Sequence, residues 1–151
     1  MGDLVARALR LWGQPLPAGA GALEAFRTVY DDPVLVNGVE TPLLVLVERA
    51  RMMRAAFADL KHTVLDQVET PDRVAFAFRI SGRHVGPLET PLGVLAPTGS
   101  PVDVAGLDLF VVDPQRDRVT AIHAQADHLS LLLAAGAVAP LDGSPRTRGA
   151  P

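Results

Sequence analysis

The stretch from Val119 to Asp127 carries chemistry-bearing side chains at a spacing of two. In a strand, that period puts His123, Gln125 and Asp127 on one face and Ile122, Ala124 and Ala126 on the other. The polar row has two readings. It is the wet face of an antiparallel sheet, or it lines a pocket. In a pocket, an imidazole and a carboxylate on alternate residues reach a single ligand. A carboxylate in apolar surroundings has its charged form disfavoured, so its pKa rises and it carries protons near neutral pH. On that reading Asp127 and His123 do the acid/base work, and Gln125 binds substrate.

Other residues could share such a pocket. His84 lies in Gly82-Arg83-His84-Val85-Gly86, where glycines allow close backbone approach; its alternative is a hydrogen-bonded histidine at a strand end. Asp108 falls mid-strand between Leu107 and Leu109, facing either solvent or the cavity. Asp59 follows Phe57-Ala58 at the end of a helical stretch. The helix dipole disfavours a carboxylate there unless it has a partner or a task. Met53 and Phe57, with Phe26, read as core or as pocket wall, and Tyr30, the only tyrosine, can project its hydroxyl into the same space. His62 and His128 read as surface or structural residues.

Several chemistries lack their signatures. The histidines and carboxylates show no HExxH or other compact metal spacing, and no GxGxxG, P-loop or GxSxG motif occurs. Without cysteine there are no disulfides, thiolate zinc sites or cysteine nucleophiles. The expectation is proton transfer with neither cofactor nor metal.

The elements that must position these groups follow from periodicity. Asp3 can cap a helix to about Trp12. Leu23, Phe26, Val29 and Tyr30 keep helical spacing, which Asp31-Asp32-Pro33 ends. Val34-Leu35-Val36 is a short strand closed by the Asn37-Gly38 turn signal. A long helix is expected from Leu43 to about Asp59, with Leu46, Ala50, Met53 and Phe57 in one stripe. Strands then follow at about His62–Val68, Arg73–Ile80, Val104–Val112 and Val119–Asp127, with a loop-rich stretch from Gly82 to Ser100. Leu129 to Ala135 is a short helix closed by Gly136. Helices first and strands after predict an α+β fold, a strongly curved antiparallel sheet packed on N-terminal helices and enclosing a pocket.

The 151 residues suit one domain over 1–139, and residues 140–151 lack apolar periodicity and are expected to be a disordered tail. A net charge of -3 with scattered arginines argues against a nucleic-acid partner. No apolar run approaches the roughly 18–20 residues of a membrane span, and the N-terminus does not read as a signal peptide, so the expected location is the cytoplasm.

Taken in order, these motifs resemble a known family. Tyr30-Asp31-Asp32, Ala56-Phe57-Ala58-Asp59-Leu60, Asp72-Arg73-Val74-Ala75, Gly82-Arg83-His84-Val85-Gly86, and Val119 to Asp127 followed by Leu131-Leu132 and Gly136 form the set. Together they are similar to the SnoaL-like polyketide cyclases of the nuclear transport factor 2-like superfamily, from about Ala6 to Val138. The resemblance implies a conical α+β barrel, often dimeric through the outer face of its sheet. It implies an apolar, polyketide-like small-molecule substrate and a cofactor-free aldol ring closure. It gives the acid/base role to an aspartate late in the last strand, a place Asp127 matches. His123 stands where the family commonly has a bulky aromatic, Ala58 replaces a familiar proline, and residues 87–101 depart from the pattern. The alternative is a non-catalytic member of the fold that binds a small molecule or a protein.

Overall fold

Apolar residues at helical spacing give way to alternation along the chain, and the structure changes with them. The structure is a computed structural model, described for residues 3–141. The elements are α1 (Leu4–Gly13), α2 (Ala20–Arg27), β1 (Tyr30–Val36), β2 (Val39–Thr41), α3 (Leu43–Ala56), β3 (Phe57–Thr70), β4 (Arg73–His84), β5 (Leu88–Thr90), β6 (Gly93–Leu95), β7 (Pro101–Asp113), β8 (Arg118–Ala126) and α4 (His128–Ala134). The expected tail from residue 140 falls almost wholly on residues 142–151, outside the described residues.

Six strands form one sheet in the order β2-β1-β8-β7-β4-β3. The β3–β4, β4–β7 and β7–β8 pairs are antiparallel, as alternation predicts. The β1–β8 pair is parallel, so the sheet is mixed. Sequence reading missed this because the partners lie some ninety residues apart and no local pattern announces a parallel neighbour. Among the described residues, β2 and β3 are the edge strands, and the curved sheet is open rather than a closed barrel.

Two boundaries differ from expectation. Tyr30 opens β1 instead of ending a helix, and the strand runs through Asp32-Pro33. The long helix stops at Ala56, and Phe57 opens β3. Asp59 therefore sits at a strand irregularity with φ +54°, not at a helix end. At the N-terminus, Asp3 makes no side-chain cap bond and instead lies 3.7 Å from both Arg7 and Arg10. The Asn37-Gly38 turn and the Gly136 terminus form as expected, with positive φ at all three residues.

The helices cover the concave face of the sheet. Val74, Phe76 and Phe78 of β4 point inward with Phe110 and Val112 of β7 and Ile122 of β8, against Leu4, Phe26, Leu46 and Val47 of the helices. An aromatic chain crosses this core, with ring centroids 5.9 Å apart for Trp12–Phe26, 5.8 Å for Phe26–Tyr30, 6.2 Å for Tyr30–Phe110 and 5.0 Å for Phe110–Phe76. These separations fall in the favourable range for ring pairs, worth about 0.5–1.5 kcal/mol each beyond area burial. Two glycines are needed for close approach. A Cβ on Gly106 would meet the Phe78 ring at 2.4 Å, and one on Gly86 would meet the Ala55 carbonyl oxygen at 2.2 Å. The second contact seats the end of β4 against the end of α3. Among the described residues, no helix is long and apolar enough to cross a membrane.

Candidate active site

Register decides which face each candidate occupies. Phe110 pairs with Ile122, and both are buried in the core. By alternation, Asp108 and Ala124, which pair with each other, share this concave face. Leu109 pairs with His123 and Leu107 with Gln125, on the outer face. The pocket-lining reading of the polar row is therefore corrected: His123 and Gln125 are exposed on the convex side. The apolar side of β8, with Ile122, is taken by the core, so its polar side faces out.

Asp127 lies just past β8 and caps α4. Its carboxylate accepts from the Ser130 backbone N–H at 3.0 Å and from the Ser130 hydroxyl. The Ser130 hydroxyl, then the Ser130 backbone N–H, hold its pKa below the usual carboxylate value. The raised pKa expected of a carboxylate in an apolar cavity is not found here, because Asp127 is exposed and two donors stabilise its charge.

Asp108 has the environment that was expected of Asp127. Burial pushes its carboxyl up from 3.8 to about 6, and the Gln125 backbone N–H offsets part of that rise. Thus Gln125 reaches the concave site through its backbone rather than its side chain. The negative charge of Asp108 acts on Tyr30, whose hydroxyl is raised well above its ordinary value, chiefly by burial. Tyr30 is 2% exposed, and its oxygen accepts a hydrogen bond from Trp12 Nε1 at 3.1 Å. The structure thus brings together Asp108, Tyr30 and Trp12, a group in which a carboxyl titrates near neutrality beside a phenol that stays protonated.

Two half-buried polar groups were given no site role in the sequence. Trp12 falls four residues after buried Ala8 on the same helix face, and a buried indole N–H needs an acceptor, which is the signal that could have found it. His62 is half-buried on β3, with Nδ1 buried and unpartnered, and burial lowers its pKa. Gly13 gives it room, since a Cβ there would approach Nδ1 at 3.0 Å.

The remaining candidates scatter. Met53 is half-buried on α3, and its carbonyl accepts from the Phe57 N–H. Phe57 is buried, with its ring centroid 5.8 Å from that of His84. Asp59 is exposed at its strand irregularity, away from Asp108. His84 is buried and lines a cleft of about 160 Å³ between β7 and α4, whose wall also includes Thr98, Val104, Asp127, Ser130 and Leu131. The structure therefore brings His84 and Asp127 to one cleft, away from His123. A second hollow, lined by Arg27, Asp31, Asp32, Arg116 and Arg118 with Tyr30, is an open charged surface, with Arg116 bridged to Asp31 at 2.8 Å.

Comparison with known proteins places this geometry. A family model described as SnoaL-like polyketide cyclase matches residues 14–134. Among curated proteins, none matches the sequence. The solved structure of TsrD from Streptomyces laurentii is similar with a TM-score of 0.73 at 21% identity, over 91% of this chain and 95% of that one. IdmH from Streptomyces antibioticus, described as a candidate polyketide cyclase, is similar with a TM-score of 0.68 at 21% identity, over 91% and 98% of the two chains. A SnoaL-like polyketide cyclase from Agrobacterium tumefaciens is similar with a TM-score of 0.67 at 17% identity, over 86% and 93%. At these identities the structural likenesses show a shared fold.

Proposed function

Because the chain belongs to the SnoaL-like polyketide cyclase family, we propose that it is a cofactor-independent cyclase or isomerase acting on an apolar, polyketide-like intermediate of secondary metabolism. The observation that carries this reading is Asp108, a carboxyl on the concave face raised to about 6 beside a buried tyrosine. As a base, Asp108 takes a proton from a carbon flanked by carbonyls. The enolate carbon attacks a second carbonyl of the same molecule, and the alkoxide recovers a proton, so the ring closes with no net gain or loss of atoms. Tyr30, kept protonated and held by Trp12, is the donor to the forming enolate. A base titrating near the working pH balances ionised fraction against proton affinity.

A second reading gives the base to Asp127, as the family resemblance implies. It is favoured by the cleft that Asp127 shares with His84. His123 faces outward in either reading and is not assigned a step in ours.

The test is conversion. Purified protein incubated with aromatic polyketide intermediates bearing β-carbonyls is expected to yield a product of unchanged mass and altered retention, with no added cofactor. Saturable binding of the intermediates without conversion would leave a binding module of the same fold, and the enzymatic reading would be wrong.

The family reading also implies a homodimer through the outer sheet face. That face exposes Val68 and Leu107 at 67% and 57%, beside Ala75, Ala77 and Leu109. Sedimentation at micromolar concentration is expected to give twice the chain mass, and Leu107→Glu to give the monomer. A monomeric parent would remove this part of the proposal.

A further inference from the structure

We infer that His84 is an acid-released latch: its neutral imidazole pins residues 98–100 to the end of β4 and so holds one wall of the cleft between β7 and α4. The inference does not depend on which carboxylate acts as base. The hairpin of β5 and β6 pairs with itself and not with the six-stranded sheet, so its two feet fix its place. The first foot is tied to the end of α3, where the Val85 and Gly86 N–H groups donate to the Ala56 carbonyl at 2.8 and 3.1 Å. The second foot, residues 98–100, is tied to His84. The His84 backbone N–H donates to the Ser100 carbonyl at 2.9 Å, and the Gly99 N–H donates to the His84 carbonyl at 2.8 Å. The Thr98 N–H donates to His84 Nδ1 at 3.3 Å, and the Thr98 hydroxyl lies 3.1 Å from the same nitrogen. Thr98 and Ser100 also line the cleft, with Asp127.

The latch holds in one protonation state. An N–H donating to Nδ1 requires the lone pair there, so the neutral ring carries its proton on Nε2. Acid adds a proton to Nδ1, and the Thr98 N–H then faces another donor. The Thr98 hydroxyl is the acceptor left for Nδ1–H, and it already accepts from the Ser100 N–H at 3.3 Å. His84 is 1% exposed and its Nε2 has no partner among the described residues, so the new charge gains no water in place. The charged groups around it are committed elsewhere. Asp103 of β7 is paired with Arg79 of β4 at 3.1 Å, and Asp127, ahead of α4, is held by both donors of Ser130. Arg83 takes the opposite face of β4 by alternation. Arg54 of α3 donates to the Gly13 carbonyl. Asp59 and Lys61 of β3 and Glu89 of β5 are exposed. What β3 presents to the imidazole is the Phe57 ring, with centroids 5.8 Å apart. Protonation therefore favours release, and the closed arrangement, intact at neutral pH, weakens as pH falls.

The test follows the full chain by ¹⁵N-edited NMR from about pH 8 to about pH 5, across the ordinary histidine range. The His84 imidazole reports protonation. Hydrogen exchange at the Thr98 and Gly99 amides, corrected for its intrinsic pH dependence, reports release. Protection at both amides is expected to fall about tenfold or more as Nδ1 takes up its proton, while the Val85 and Gly86 amides keep theirs. His84→Asn puts a side-chain oxygen in the place of Nδ1 with nothing to protonate, so its Thr98 amide is expected to stay protected throughout. His84→Leu has no acceptor and is expected to leave Thr98 unprotected even at the upper end of the range. The parental titration decides the matter by itself where a variant fails to fold. A ring that stays neutral down to about pH 5, a ring that titrates while Thr98 stays protected, an acid-induced loss of protection that persists in His84→Asn, or a protected Thr98 in His84→Leu would each overturn the inference.

Discussion

Replacing Asp108 with asparagine is expected to remove turnover and, at neutral pH, to make the protein more stable. Both effects have the same cause. Burial raises the carboxyl from 3.8 to about 6, so the folded protein holds the charged form at a cost. The sign follows: a raised folded-state pKa contributes stability that is fully present below the unfolded-state value and is lost as pH rises through the folded value. Parental stability should therefore decline between about pH 4 and about pH 6 and then level off. The asparagine variant has nothing to ionise at this position and lacks this decline. Two pK units set an upper limit of about 3 kcal/mol at neutral pH, and the residual exposure of Asp108 reduces the gain to about 1–2 kcal/mol.

Turnover should move the other way. Loss of a positioned base typically lowers the rate by about 10²–10⁴-fold. In the parent, kcat/KM should climb through pH 6 and level off, and this limb should vanish in Asp108→Asn. The measurements are a pH–rate profile and thermal denaturation at about pH 5 and about pH 8 for both proteins. A residue with a structural role alone would lose stability on substitution and leave the shape of the profile unchanged. Asp127→Asn is the control that separates the two carboxylates. Asparagine remains a good helix N-cap, so stability should change little. If Asp127→Asn is inactive while Asp108→Asn turns over at the parental rate, the base is Asp127 and the concave-face assignment is wrong.

The second large effect is on the fold itself. Phe26→Ala should destabilise the protein by about 3–5 kcal/mol, the range for deleting a buried phenylalanine side chain. Phe26 is fully buried, between Trp12 at 5.9 Å and Tyr30 at 5.8 Å. Its removal leaves a void where α1, α2 and the sheet meet, beneath the hydrogen bond that holds the Tyr30 hydroxyl. For a chain of this size the melting temperature should fall on the order of 10 °C. Phe26→Leu, which fills most of the volume, should cost about 1.5 kcal/mol or less. Denaturant titration of both variants provides the check. A loss below about 1 kcal/mol in Phe26→Ala would mean that the helices do not pack on the sheet through this ring.

Much of the architecture was legible in the residues. Alternation through Val74, Phe76 and Phe78 sets a strand with one buried face, Asn37-Gly38 sets a tight turn, and Gly136 sets a helix terminus. Each is a local preference, expressed by the backbone and its nearest neighbours. The resemblance in motif order identified the family for the same reason, since it needs only the order of residues. What alternation cannot supply is a sign. Leu107-Asp108-Leu109 reads the same whichever way it faces, and so does Ile122-His123-Ala124. Only the pairing of Phe110 with Ile122 over a covered face sends Asp108 inward and His123 outward. The helical stripe expected to include Phe57 gave way to β3 because the strand finds a long ladder of partners along β4, from Phe57–His84 to Thr70–Arg73 with two irregularities. Helix propensities differ by tenths of a kcal/mol per residue, whereas burying one large apolar side chain contributes about 1.5–3 kcal/mol. Local choices therefore fixed which elements form, and long-range burial decided which carboxylate lost its water.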